Sequence, residues 1–165
     1  MLKALLIKTL CPTPLPNLFA HVVLFAPRFV CGYLLAVDFG ASKFGMPWTD
    51  PERGLGLFQV AEWFPEDVAS YGPPFSLAPT FFAWMGAASE AIGGVFLALG
   101  LGTRIAAFFL MCTMLVAIFC EKWGSASWEM LPAMGFLWVS LFHLALGSGA
   151  LGIDRLLTWK GQPAE

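Results

Sequence analysis

A single carboxylate in a long apolar run restricts this chain more than any other feature. Pro79 to Leu101 is long and apolar enough to span a membrane as a helix, and Glu90 is its only charged residue. A carboxylate in hydrocarbon costs roughly 2.5–3.5 kcal/mol on insertion scales. Glu90 must therefore face protein, find a partner or carry a proton. Ala83, Gly86, Ala87, Gly93 and Gly94 recur around it at helical spacing. Such a stripe of small residues lets a second helix approach closely.

Three more stretches have the same character, at about residues 18–41, 104–120 and 129–147. Of the 165 residues, 58% are hydrophobic and 12% charged, against about 25% charged in a soluble domain. The reading is an all-α membrane protein, a four-transmembrane-helix bundle over residues 18–149. Residues 1–17 form a lead: an amphipathic piece from Met1 to Leu10, then Pro12, Pro14 and Pro16, which interrupt any helix. A signal peptide is not expected, because the main apolar run follows the prolines without a convincing cleavage site. Residues 44–78 connect spans one and two. Within them Leu57, Val60, Ala61, Phe64 and Val68 predict a short amphipathic helix at the membrane interface, with Trp48 and Trp63 suited to that depth. Residues 150–165 form a tail.

Four spans put both termini on one side. Lys3, Lys8, Arg104, Arg155 and Lys160 share that side, while Lys43, Arg53 and Lys122 lie opposite. The bias predicts cytoplasmic termini. The net charge of −2 gives no reason to expect a nucleic-acid partner. Cys11, Cys31, Cys112 and Cys120 form no C-x-x-C pair, so a dithiol relay is not expected.

Depth along each helix follows from a rise of about 1.5 Å per residue. Counted from the cytoplasmic ends, Arg28 in span one and Glu90 in span two both lie roughly 15 Å deep. They are the expected ion pair, bidentate in a dry site. His143 in span four is a third candidate, able to carry a proton near neutral pH. The pair has two readings, a lock on helix register or a ligand, redox or proton site. His21 and His143 are poorly placed for a haem, and Met111 and Met114 read as core filler.

The residues also resemble a known family. Arg28-x3-Gly32 is followed by Gly40-x2-Lys43, then by Glu90-x2-Gly93-Gly94-x2-Leu97-x2-Gly100-Leu101-x-Thr103-Arg104. Gly147-x-Gly149 leads to Asp154. This pattern resembles the DoxX family of small four-helix membrane proteins, related to the DoxD subunit of thiosulfate:quinone oxidoreductase. Residues 44–78 look longer than the family's usual first loop. The resemblance implies a bacterial cytoplasmic-membrane protein working beside redox partners, or an assembly factor. It implies that Arg28, Lys43, Glu90, Arg104 and Asp154 matter. Arg104 and Asp154 share a face and could pair there, tying the tail to the turn.

The expected function is an integral membrane subunit of a quinone-linked redox system. Arg28 would donate to a quinone carbonyl, and Glu90, with His143, would hold or pass the proton. Phe25, Trp84 and Trp138 would line the slot. No motif for a flavin or metal of its own is found, so electrons would come from a partner protein. Membrane lipids are expected neighbours, and a homo-oligomer is possible on these grounds. The alternative is a non-catalytic assembly factor or scaffold that grips its partner through residues 44–78. Transport is the weaker third reading, since four helices without a repeat leave little room for alternating access.

Overall fold

The structure, a computed structural model, describes residues 10–158. Most of them are helical. Helix α1 is continuous over Leu18–Lys43. Asn17 starts it, its side chain accepting from the Ala20 N–H at 2.8 Å. Pro27 lies inside α1 without ending it. A short helix α2 covers Trp63–Ser70. Helix α3 spans Pro79–Leu99, α4 Thr103–Glu121 and α5 Ser127–Leu146. A short α6, Ile153–Thr158, follows. Four of these, α1, α3, α4 and α5, are long and apolar enough to cross a membrane. Phe19, Phe29, Phe119, Trp138 and Phe142 stay exposed on their outer faces, where lipid satisfies them. The protein is a multi-pass membrane protein.

Helix α1 packs on α3, α3 on α4, α4 on α5, and α5 returns to α1. The α1–α3 contact is backbone to backbone. A Cβ on Gly32 would stand 2.6 Å from the Ala98 nitrogen and the Gly94 oxygen, and one on Gly40 would stand 2.5 Å from Ala91. These two glycines and Ala36 lie four residues apart on one face of α1. The small stripe of α3 meets this face. Its Gly94 could not bear a Cβ either, since Ala36 N would be 2.7 Å away. Gly93, beside it, points towards Leu110 of α4.

The α3–α4 reversal needs glycine. Gly100 and Gly102 have φ of +68° and +55°, left-handed values that side chains disfavour. Between α1 and α2 the chain folds back on itself. Ala61 N–H donates to Lys43 O at 2.8 Å, Phe58 N–H to Gly45 O at 2.7 Å and Gly45 N–H to Gln59 O at 2.8 Å. The amphipathic helix expected from Leu57 therefore begins only at Trp63. Its first residues spend their N–H groups on the chain leaving α1, and Phe58 has φ +61°. Pro65 falls in the first turn of α2, where its missing N–H leaves no helical acceptor unpaired.

Candidate functional site

Arg28 and Glu90 lie in two separate places, at opposite ends of the α1–α3 pair. Neither place joins Arg28 to Glu90.

Arg28 is fully buried beside the α3–α4 reversal. Its Nη1 donates to Ser148 O at 2.6 Å and its Nη2 to Leu151 O at 2.8 Å. The guanidinium carbon lies 5.3 Å from the Phe25 ring centre. Gly100 and Gly152 press against it, because a Cβ on either would approach Nη1 to 2.5 and 2.9 Å. The Asp154 carboxylate, 1% exposed, lies within electrostatic reach. It accepts from Gly102 N–H at 2.6 Å, Thr103 N–H at 2.9 Å and the Thr103 hydroxyl at 2.7 Å. Asp154 thus caps α4 from a distance, supplying acceptors that a helix start lacks. It does not pair with Arg104. That side chain turns to the lead, donating to Thr13 Oγ1 at 3.3 Å and Cys11 O at 3.5 Å. The cause is geometric: Asp154 is already saturated by the first N–H groups of α4.

At the other end Glu90 is 5% exposed, and its Oε2 stands 2.6 Å from Lys43 Nζ. The ammonium also sits over the Phe64 ring, 5.2 Å from its centre. Helix register brings Lys43 here. With Gly32 against Gly94 and Gly40 against Ala91, antiparallel helices place Lys43 near Glu90 and Arg28 near Gly100. The depth count went wrong because it began α1 at the membrane surface, whereas α1 overshoots α3 at its N-terminal end. Phe44 anchors the corner, fully buried against Ala87, Ala88 and Ala91.

The ion pair faces a cavity of about 300 Å³ between α2, α3 and α4. Aromatic rings, among them Phe64, Tyr71, Phe75, Phe82 and Phe109, share its walls with Val68, Met85, Val116 and Glu121. Ser89 and Thr113 bring hydroxyls 2.6 Å apart into the same wall, and Cys112 adds a free thiol. Tyr71, outside the spans, has its phenol pushed up to about 12, first by burial and then by Glu121. It is a neutral hydroxyl at physiological pH. Glu121 itself pairs with Lys122 at 2.7 Å. Two π-helical stretches, Leu35–Gly40 and Ala117–Glu121, occur at this end. In the first, the Ala36 carbonyl accepts from the Trp48 indole at 3.1 Å.

The remaining candidates lie elsewhere. Trp84 stacks edge-on with Phe44 at 5.7 Å and donates to Phe58 O, without lining the cavity. Trp138 packs against Phe142 on an exposed face, and Phe25 stays with Arg28. His143 is 1% exposed, with Nδ1 2.8 Å from Val139 O. It belongs to the Arg28 end. His21 Nδ1 accepts from Ala150 N–H. Phe64, Tyr71, Ser89 and Thr113 were not foreseen. Ser89 and Thr113 carried a signal, since each is a hydroxyl inside an apolar span.

A family model described as DoxX matches residues 28–123. The match starts at Arg28 and includes Lys43 and Glu90, but ends before His143 and Asp154. Neither the curated proteins nor the solved structures give a match. The matched region is more than half of the chain and contains the helices that build the Lys43–Glu90 cavity, so the chain belongs to the DoxX family.

Proposed function

We propose that this protein is a membrane subunit of a quinone-linked redox system, binding a quinone head group, or a similar small molecule, beside Lys43 and Glu90. One observation carries the reading. An ion pair is kept inside an aromatic cavity large enough for a ring. Structure alone gives little reason to keep it, since apolar replacement of a buried pair is often neutral or stabilising. Ligand pockets of this kind combine apolar walls with a few placed polar groups.

The chemistry suits a quinone carbonyl. Lys43 has N–H groups beyond the one directed at Glu90, and one of them would donate to a carbonyl oxygen. Reduction to the hydroquinone takes up two electrons and two protons. The electrons would come from a redox partner protein, and Glu90 would relay the two protons in turn, each replaced from water at the membrane surface. Arg28, His143, Phe25, Trp84 and Trp138 drop out of this site. We place the protein in a bacterial cytoplasmic membrane with both termini inside, as the charge bias favours.

The test is titration of the purified protein with a short-chain quinone analogue, repeated on Glu90→Gln and Lys43→Met. Saturable binding that weakens about tenfold or more in Lys43→Met supports the site. No binding, or equal binding by all three, removes it.

A scaffold reading has one observation of its own. Residues 44–78 expose Leu57, Phe58, Trp63 and Leu77, a surface a partner protein would cover. Co-purification in mild detergent separates the readings. Loss of a bound protein on Leu77→Ser with Phe58→Ser, with quinone binding intact, favours a docking role for the connection.

A further inference from the structure

We propose that Tyr71 is the second hydrogen-bond donor of the Lys43–Glu90 cavity, which makes the site selective for a flat ring with carbonyls at its two opposite ends. The inference rests on the quinone reading of that cavity and extends it by naming what holds the far oxygen.

Lys43 accounts for one carbonyl, and burying the other without a donor costs free energy. Few donors line the cavity. The Ser89 and Thr113 hydroxyls have carbonyl acceptors inside the protein, Gly86 O at 2.8 Å and Phe109 O at 3.1 Å. Cys112 offers only a weak S–H. Tyr71 is the remaining hydroxyl on the wall.

Its phenol is free and accessible. Among the described residues none hydrogen-bonds to it, and its oxygen is not sealed as the Arg28 Nε and the His143 Nε2 are. Glu90 of α3 and Cys120 and Glu121 of α4 all lie within electrostatic reach of the phenol, which therefore faces the space that α2 shares with those helices. Both carboxylates already hold a cation, Lys43 for Glu90 and Lys122 for Glu121. The ring itself is braced. Phe75 meets it edge-on at 6.0 Å and packs in turn on Phe82 of α3 at 5.1 Å. A donor fixed in this way loses little freedom when it binds.

The spacing suits a para-quinone. The Lys43 ammonium sits over Phe64, and Phe64 and Tyr71 are two helical turns apart on one face, about 10 Å. Carbonyl oxygens at opposite ends of a six-membered ring, each in an ordinary hydrogen bond, need donors roughly 10–11 Å apart. With its pKa pushed up to about 12, Tyr71 keeps its proton while it donates. It positions the ring and leaves proton transfer to Glu90.

The experiment compares 2,3-dimethyl-1,4-naphthoquinone with 2,3-dimethylchromone on the full chain in nanodiscs. The chromone has the same flat outline, but a ring oxygen replaces one carbonyl. The quinone is expected to bind about tenfold more tightly than the chromone. Tyr71→Phe should abolish that advantage and leave chromone binding within about twofold of its original value. Lys43→Met should weaken both ligands. In the infrared spectrum both carbonyl stretches of the bound quinone should be lowered, and in Tyr71→Phe one should return to the free-quinone frequency. Equal weakening of both ligands by Tyr71→Phe would reduce the ring to packing and overturn the proposal, as would unchanged quinone binding. Should Tyr71→Phe fail to fold, the spectrum on the unmodified protein decides: one carbonyl at its free frequency overturns the proposal. If neither ligand binds, or Lys43→Met leaves both unaffected, the quinone site itself falls and this inference with it.

Discussion

The two ends of the α1–α3 pair treat buried charge differently. At the tail end Arg28 and Asp154 are enclosed by backbone. Two carbonyls take the terminal nitrogens of the guanidinium, and two N–H groups and a hydroxyl take the carboxylate. Glycines at 100 and 152 close the space a ligand would need. At the opposite end Lys43 and Glu90 have chiefly each other, and a cavity beside them. Enclosure chiefly by main chain, with the Arg28 Nε left without a hydrogen-bond partner, marks a structural device, which ties the tail and the α3–α4 turn to α1. A pair left against open volume marks a place where something else can bind. Both ends lie among the residues the family pattern picks out, so motif membership alone does not separate the two roles.

The largest effect should come at the enclosed end. Asp154→Ala strips three hydrogen bonds from the start of α4, and destabilisation of about 2–4 kcal/mol is expected in denaturant unfolding in detergent. A loss below about 0.5 kcal/mol would show the tail to be dispensable and would break the contrast.

Gly100→Ala should come next. It combines a left-handed backbone with a Cβ against the guanidinium, and about 1–3 kcal/mol of destabilisation is expected. Pairing it with Arg28→Met sharpens the test, because removing the guanidinium should recover part of that loss in a double-mutant cycle.

At the open end the expectation reverses. Lys43→Met with Glu90→Leu together should change stability by less than about 1 kcal/mol. The same variant should lose quinone-analogue binding. A strongly destabilised double variant would make both ends structural.

The smallest effect concerns Tyr71. Its folded pKa of about 12 lies above the usual phenol value of 10. Any stability it contributes is complete below pH 10 and lost as pH rises towards 12, so nothing changes near neutrality. Ultraviolet titration should show a late phenolate that disappears in Tyr71→Phe. It should appear earlier in Glu121→Gln, because Glu121 is the leading charge that raises it.

Much of this was legible before any coordinates. Four apolar runs and the need of Glu90 for a partner follow from residue chemistry. The partner was misread because depth was counted from helix ends, and ends do not report register. A better signal was present: Gly32, Ala36 and Gly40 on α1, facing Ala91, Gly94 and Ala98 on α3. Aligning those two small stripes antiparallel would have set Lys43 against Glu90. The late start of α2 was not legible, since its periodicity runs back into a segment whose N–H groups are claimed by the chain after α1.

By itself the sequence determined that the chain spans a membrane four times and that one carboxylate must be matched inside it. Hydrocarbon solvation enforces that on any chain of this composition. Which cation does the matching, which pair is sealed and which faces open space were decided only by tertiary structure. Those outcomes depend on how closely two backbones approach, and glycine contacts set that to within a few ångströms.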